Sequence, residues 1–283
     1  MSLRQLPAVQ ALARPEGVTW DAPAGALARW SPGIQAADAE DTASISIYDF
    51  IGEDPWSGGG WTAKRVAGLL RTFGDRAVAV SINSPGGDVF EGIAIYNLLR
   101  EHKAAVNVRV MGLAASAASL IAMAGDEILM GEGAMLMVHN AWGVALGNRH
   151  DLRAAADVLE PIDDAMAGIY AARSGQDRKK VGKMLDDETW MSSAQAVEKG
   201  FADGVLAGGS PAQASAKLDA PMQARHQLDI VLAKAGMPRS QRRNLLRDLA
   251  SGTPSAAVDP ATHDAGLSGA AAELRRLINT LTP

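Results

Sequence analysis

The sequence predicts an α/β fold built from repeated β-β-α or β-α units, with a helical C-terminal extension. Three observations carry this. Short alternating apolar runs (Ser44–Tyr48, Val78–Ile82, Val106–Val110) recur between stretches of helical periodicity. The chain has 283 residues, 47% of them hydrophobic, enough to bury one large domain. After about Val205 the composition shifts to linker-like Gly208-Gly209-Ser210-Pro211, and the regular alternation ends there. The expected boundaries are an irregular N-terminal arm over 1–43, a main domain over 44–206, and a linker with helical extension over 207–283.

The elements follow in order. Residues 1–40 are rich in Ala, Pro and Gly with weak periodicity, which reads as an irregular arm. After the first strand comes a loop over 52–60 with three consecutive glycines, then a helix over Thr62–Phe73. The turn Asn83-Ser84-Pro85-Gly86-Gly87-Asp88 leads sharply from strand to helix, with Asp88 and Glu91 in capping-box spacing. A helix over about Val89–Arg100 and a strand at Val106–Val110 come next. Gly112 then leads into a small-residue helix from about Ser116. Leu129 and Met135–Val138 mark further short strands. A helical pattern covers about 148–173, with Pro161 inside it expected to kink or split the helix at a cost of about 3 kcal/mol. Residues 227–250 read as a basic amphipathic helix pair around Gly236-Met237-Pro238, and Ala271–Leu281 as a last short helix.

Composition narrows the function classes. The net charge is −5 and no nucleic-acid-binding motif is present. There is no cysteine, which excludes disulfides, thiolate nucleophiles and cysteine metal sites. The N-terminus has no apolar signal-peptide core, and the most apolar stretch, Val110–Gly125, is too short and too rich in small residues for a membrane span. The expected location is the cytoplasm, and no membrane partner is expected.

Candidate chemistry rests on a few residues. Ser116 lies among small residues that let a substrate backbone approach, at a helix start where backbone N–H groups stabilise an oxyanion. Taken alone, it reads as a packing or capping serine, and Ser119 is an alternative nucleophile one turn on. The surrounding residues are not a G-x-S-x-G elbow. Of the five histidines, only His139 ends an apolar strand; His102, His150, His226 and His263 sit in polar surroundings. As a general base, His139 needs Ser116 in hydrogen-bond reach and an acid behind it. The Ser84-Pro85-Gly86-Gly87 turn exposes backbone N–H groups and lacks the lysine of a phosphate loop. Asp186, Asp187 and Glu188 supply three candidate carboxylates, although such a run is commonly a solvated loop.

Five segments in order resemble the Clp protease proteolytic subunit (ClpP) family: INSPGGDVFEGIAIYNLL (82–99), GLAASAASLIAMAG (112–125), MLMVHNAWG (135–143), ARSGQDRKKVGKML (172–185) and ETWMSSAQAVEKGFAD (188–203). The resemblance covers about residues 44–206. It implies a ClpP/crotonase-like repeated β-β-α superhelix with a protruding helical handle over 150–173. It implies a serine endopeptidase with Ser116 as nucleophile, His139 as base, and the amides of Gly87 and Ala117 as oxyanion hole. The family's acid, two residues before an aromatic, falls on Glu188, one methylene longer than the usual Asp; Asp187 is the fallback. No metal or cofactor is implied, and a homo-oligomeric ring is. The arm shows no chaperone-docking loop of the family's kind, so an unfoldase partner is not expected.

The Glu-Thr-Trp segment and the long tail also resemble the head maturation proteases of tailed phages and prophages, which implies a capsid or scaffold protein as substrate and a place in the host cytoplasm or assembling prohead. Two other readings remain open. One is a crotonase-type acyl-CoA enzyme on the same scaffold. The other is a non-catalytic capsid assembly protein that docks through Arg239, Arg242, Arg243 and Arg247.

Overall fold

The computed structural model describes residues 19–30, 43–53, 60–206, 220–235, 237, 241–242 and 245–246. The expected helix at 271–281, and Arg239, Arg243 and Arg247, lie outside them.

The arm corrects one expectation. Residues 19–30 are not irregular: they hold a two-residue strand β1 (Thr19–Trp20) and a short helix α1 (Ala24–Arg29). Pro23, at the N-cap, fixes its own φ and starts the turn, while Ala26 and Leu27 are buried. A six-residue helix has too few positions to show a period, so tertiary contact decides it.

The main domain is a mostly parallel sheet covered by helices. In chain order it comprises β2 (Ala43–Ile47), α2 (Ala63–Phe73), β3 (Val78–Ser84), α3 (Val89–Glu101) and β4 (Val106–Ala115). These are followed by α4 (Ala117–Ala122), β5 (Glu127–Met130), β6 (Met135–Val138) and β7 (Gly143–Val144). The domain continues with α5 (Arg149–Ser174), α6 (Arg178–Asp186), β8 (Thr189–Ser192), α7 (Ser193–Glu198) and β9 (Gly204–Val205). The strand order is β2-β3-β4-β5-β9, all parallel. β4 is long enough to fork. Asn107–Val110 pair with β5, and Leu113–Ala115 pair in parallel with β6, which pairs antiparallel with β8.

Two apolar clusters stabilise the sheet from opposite sides. Val78, Val80, Ile82, Val108, Val110, Ile95, Leu99 and Leu120 belong to the larger, between the strands and α3 and α4. Ala26, Trp30, Leu113, Ala115 and Met137 form the smaller, beneath the arm. The alternation of β6 explains the split: Leu136 and Val138 face the first cluster, Met137 the second.

Local signals behave largely as read. The Asp88 carboxylate caps α3 by accepting from Phe90 N–H and Glu91 N–H. The expected reciprocal bond from Glu91 is not made. Glu91 accepts instead from Ala63 N–H at 2.6 Å, so it caps the neighbouring helix α2. Pro161 does not split α5, whose helical span runs from Arg149 to Ser174. The buried residues of this helix all follow the proline: Ile162, Met166, Ala167, Ile169, Tyr170 and Arg173.

Beyond the main domain, α8 (Ala220–Lys234) packs back against α1. Here a second expectation is corrected. Arg242 does not lie on an open basic face; it is 1% exposed. Its guanidinium pairs with Asp21 at 2.7 Å and Asp229 at 2.8 Å, and donates to the Met237 carbonyl. A buried guanidinium requires such partners, because an isolated one would be strongly disfavoured.

A second buried arginine ties the long helix to the sheet. Arg173 donates to Asp203 at 2.5 Å, and the same carboxylate oxygen accepts from Ile128 N–H at 2.7 Å. Removing the acid takes away the carboxylate that this buried cation faces. Asp203→Ala is therefore expected to lower unfolding free energy by about 3–5 kcal/mol in denaturant titration.

Candidate active site

Ser116 and His139 leave adjacent parallel strands at their C-terminal ends, the edge where open α/β sheets place their sites. Ser116 follows β4 and precedes α4, with φ 56° and ψ −129°. A non-glycine residue at such angles costs about 1–3 kcal/mol. Neighbours hold it there: its N–H donates to the Met137 carbonyl at 3.1 Å, and its carbonyl accepts from Ser119 N–H and Leu120 N–H. Ser116 Oγ lies 2.7 Å from His139 Nε2.

Ser119, the alternative serine, is fully buried. Its hydroxyl donates to the Ser116 carbonyl at 2.7 Å and lies 2.8 Å from the Tyr170 hydroxyl. It anchors the turn that presents Ser116. Burial also pushes the Tyr170 phenol pKa upward, so that group stays protonated.

Burial lowers the His139 pKa to about 4, so the imidazole is neutral near pH 7. A neutral Nε2 can accept the Ser116 proton. Among the described residues the ring's one hydrogen bond is to Ser116; Nδ1 has no carboxylate partner.

The glycine turn presses against the serine. A Cβ on Gly86 (φ +91°) would lie 2.6 Å from the Ala115 carbonyl and 2.7 Å from Ser116 Cβ. Gly87 (φ +149°) is bridged to Ile51, with Ile51 N–H donating to Gly86 O and Asp88 N–H to Ile51 O. In such a parallel bridge the N–H of Gly87 itself points away from Ile51. Ala117 opens α4, where an N–H has no intrahelical acceptor. The two amides named from the sequence thus belong to chain segments in contact around Ser116.

The carboxylates stand differently. β6 and β8 pair Met137 with Trp190 and Val138 with Thr189, where the ladder ends; His139 directly follows β6 and Glu188 directly precedes β8. Glu188 has φ 48°, and its carboxylate is directed at α1, 3.5 Å from the site of a Cβ on Gly25. Asp187 is exposed and forms an i,i+4 ion pair with Lys183 at 2.8 Å.

The sequence reading missed the supports of the segment after His139. Asn140 donates to Asp186 at 2.8 Å, and Ala141 N–H donates to Asp163 at 2.5 Å. These bonds fasten the segment to α6 and α5. Burial, with Asp186 nearby, raises the Asp163 pKa to about 6. The acid pair 163–164 after Pro161 was a visible signal without a visible partner. Among the described residues no group of three or more His, Asp or Glu is placed to hold a metal ion, and no helix is long and apolar enough to cross a membrane.

The comparisons with known proteins agree with this architecture. The family model described as Clp protease matches residues 64–209. The ATP-dependent Clp protease proteolytic subunit of Ligilactobacillus salivarius is 34% identical over 134 residues, covering 47% of this chain and 68% of the relative. That of Leuconostoc citreum is 33% identical over 135 residues, covering 46% and 68%. A solved structure of a ClpP1 mutant from Listeria monocytogenes has a TM-score of 0.51 and 22% identity, covering 59% of this chain and 93% of that one; it shares the fold. With the family model spanning over half its length and its relatives matched over two thirds of theirs, the chain belongs to the Clp protease family.

Proposed function

We propose that the protein is a serine endopeptidase in which Ser116 attacks and His139 is the general base. The observation that carries this is the 2.7 Å approach of Ser116 Oγ to His139 Nε2, at a serine in a strained turn. His139 takes the Ser116 proton as Oγ adds to the scissile carbonyl. The amides of Gly87 and Ala117 stabilise the oxyanion; one such donor is worth about 10²–10³ in rate. His139 then protonates the leaving amine as the C–N bond breaks, giving an acyl-enzyme. Water, deprotonated by His139, adds to the ester, and His139 returns that proton to Oγ as the acyl C–Oγ bond breaks, releasing the acid product and free Ser116.

Glu188 is the acid in this reading. What supports it is position: Glu188 directly precedes β8 and His139 directly follows its partner strand β6, so that a turn of the Glu188 side chain would bring the carboxylate to Nδ1, where it orients the imidazolium. The biological role we favour is maturation of a phage or prophage capsid by a ring of these subunits cutting capsid or scaffold protein. The Glu188-Thr189-Trp190 segment and the extension beyond 206 support it. Co-expression with the capsid protein and intact-mass analysis test that role: processing is expected with the wild type and not with Ser116→Ala.

Three outcomes follow for the chemistry. Ser116→Ala is expected to abolish fluorophosphonate labelling and to lower kcat by about 10⁶-fold, as loss of a nucleophile does. Glu188→Gln is expected to lower kcat by about 10⁴-fold, whereas Asp187→Asn leaves it unchanged; steady-state peptide hydrolysis separates the two. The pH profile of Ser116 labelling is expected to show an acid limb below the ordinary histidine value of 6.5, towards 4. The same depressed pKa makes His139 contribute stability above pH 6.5 that is lost as pH falls from 6.5 to about 4.

A further inference from the structure

The N-terminal arm lies across the face from which His139 works. β1 pairs antiparallel with β7, Thr19 opposite Val144 and Trp20 opposite Gly143. β7 begins four residues after His139. Because the pairing is antiparallel, the arm continues from Trp20 in the direction that leads back along the chain towards His139. α1 then covers the side of the sheet on which Met137 lies, and alternation along β6 puts His139 on that side too. Ala26 and Trp30 pack against Ala115 and Met137, the residues one before the serine and two before the histidine. Trp30 Nε1–H donates to the Asn83 carbonyl at 2.8 Å, just before the glycine turn. The Arg29 guanidinium stacks 4.0 Å above the Trp190 ring.

The arm is also latched. Asp21 directly follows β1 and is buried, and its partner is Arg242 in the C-terminal extension, which Asp229 of α8 holds from the other side. The N-terminal arm and the segment after α8 are therefore joined by a buried ionic triad. Glu188 is turned towards Gly25 of the same arm and away from His139.

We propose that residues 19–30 are a built-in occupant of the β7 edge, latched by Asp21 and Arg242, and that their release admits an extended protein substrate to that edge. An extended peptide binds a sheet edge through main-chain hydrogen bonds, and an edge already paired by β1 offers none. The occupant is the arm itself, because its backbone is seated there and its charge is matched by the latch. This proposal rests on Ser116 being the nucleophile. Release also removes α1 from beside Glu188, leaving that carboxylate to turn to His139.

The test uses the full chain with two independent lesions, Asp21→Arg, which sets two cations face to face at the latch, and Trp20→Pro, which removes a strand N–H from β1. A fluorophosphonate is small enough to report Ser116 without pairing at β7, while a fluorogenic decapeptide needs the edge. Wild type and both variants are expected to label at Ser116. Both variants are expected to raise kcat/KM for the decapeptide at least about tenfold, as the competent fraction rises. A synthetic peptide of residues 17–30 is expected to inhibit the variants competitively, which a merely loosened fold would not permit. Labelling without any gain in decapeptide hydrolysis in either variant overturns the latch. Absence of labelling in the wild type overturns the nucleophile assignment, and the latch with it. If Asp21→Arg alone loses labelling, its fold is damaged and the result for Trp20→Pro decides.

Discussion

The forking of β4 is the constraint on which the site depends. Its first half gives its hydrogen bonds to β5 and its second half to β6, so the strand runs past one neighbour and ends against another. At that end the backbone must reverse into α4 within one residue, and Ser116 takes the positive φ. The same pairing delivers β6, and with it His139, alongside. Gly86 and Gly87 follow from this crowding: the turn from β3 into α3 packs against Ser116 so closely that a side-chain carbon at Gly86 would overlap it. The 2.7 Å contact between serine and histidine is thus set mainly by strand pairing.

Much of this was legible because local signals agreed with the global arrangement. The strands alternate, the helix starts are marked by Asp88, Asn148 and Ser192, and the glycine turn stands between a strand and a helix. Ser116 could be named over Ser119 only because five segments in order resemble one family, whereas His139 also stood out as the histidine that ends an apolar run. The carboxylate proposed as acid was less accessible. Which of Asp187 and Glu188 stands next to β8 depends on where that strand begins, and on a positive φ at Glu188 that nothing in its side chain announces. The bonds from Asn140 and Ala141 join residues 22 to 46 positions apart, beyond any local pattern.

The arm and the extension misled for a shared reason. β1 and α1 are too short to carry a period, and Arg242 looked like one charge in a basic stretch. Each acquires meaning only against the other. Asp21 is tolerated in the interior because Arg242 meets it, and Arg242 because Asp21 and Asp229 do. Composition describes each segment separately and is silent on such reciprocity.

Pro161 gives the long helix a mechanical character. A proline supplies no N–H to the carbonyl four residues back, so the helix is weakest in bending at that level. The fully buried side chains lie on the C-terminal side, and so does Asp163, which grips the segment after His139; Val158 and Leu159, just before the proline, pack against the core in part. The outer portion, 149–157, is consequently a lever that is compliant near its base. Bending there leaves the half that carries Asp163 in place, so the outer helix can adapt to whatever it touches while that carboxylate keeps its hold on the segment after His139.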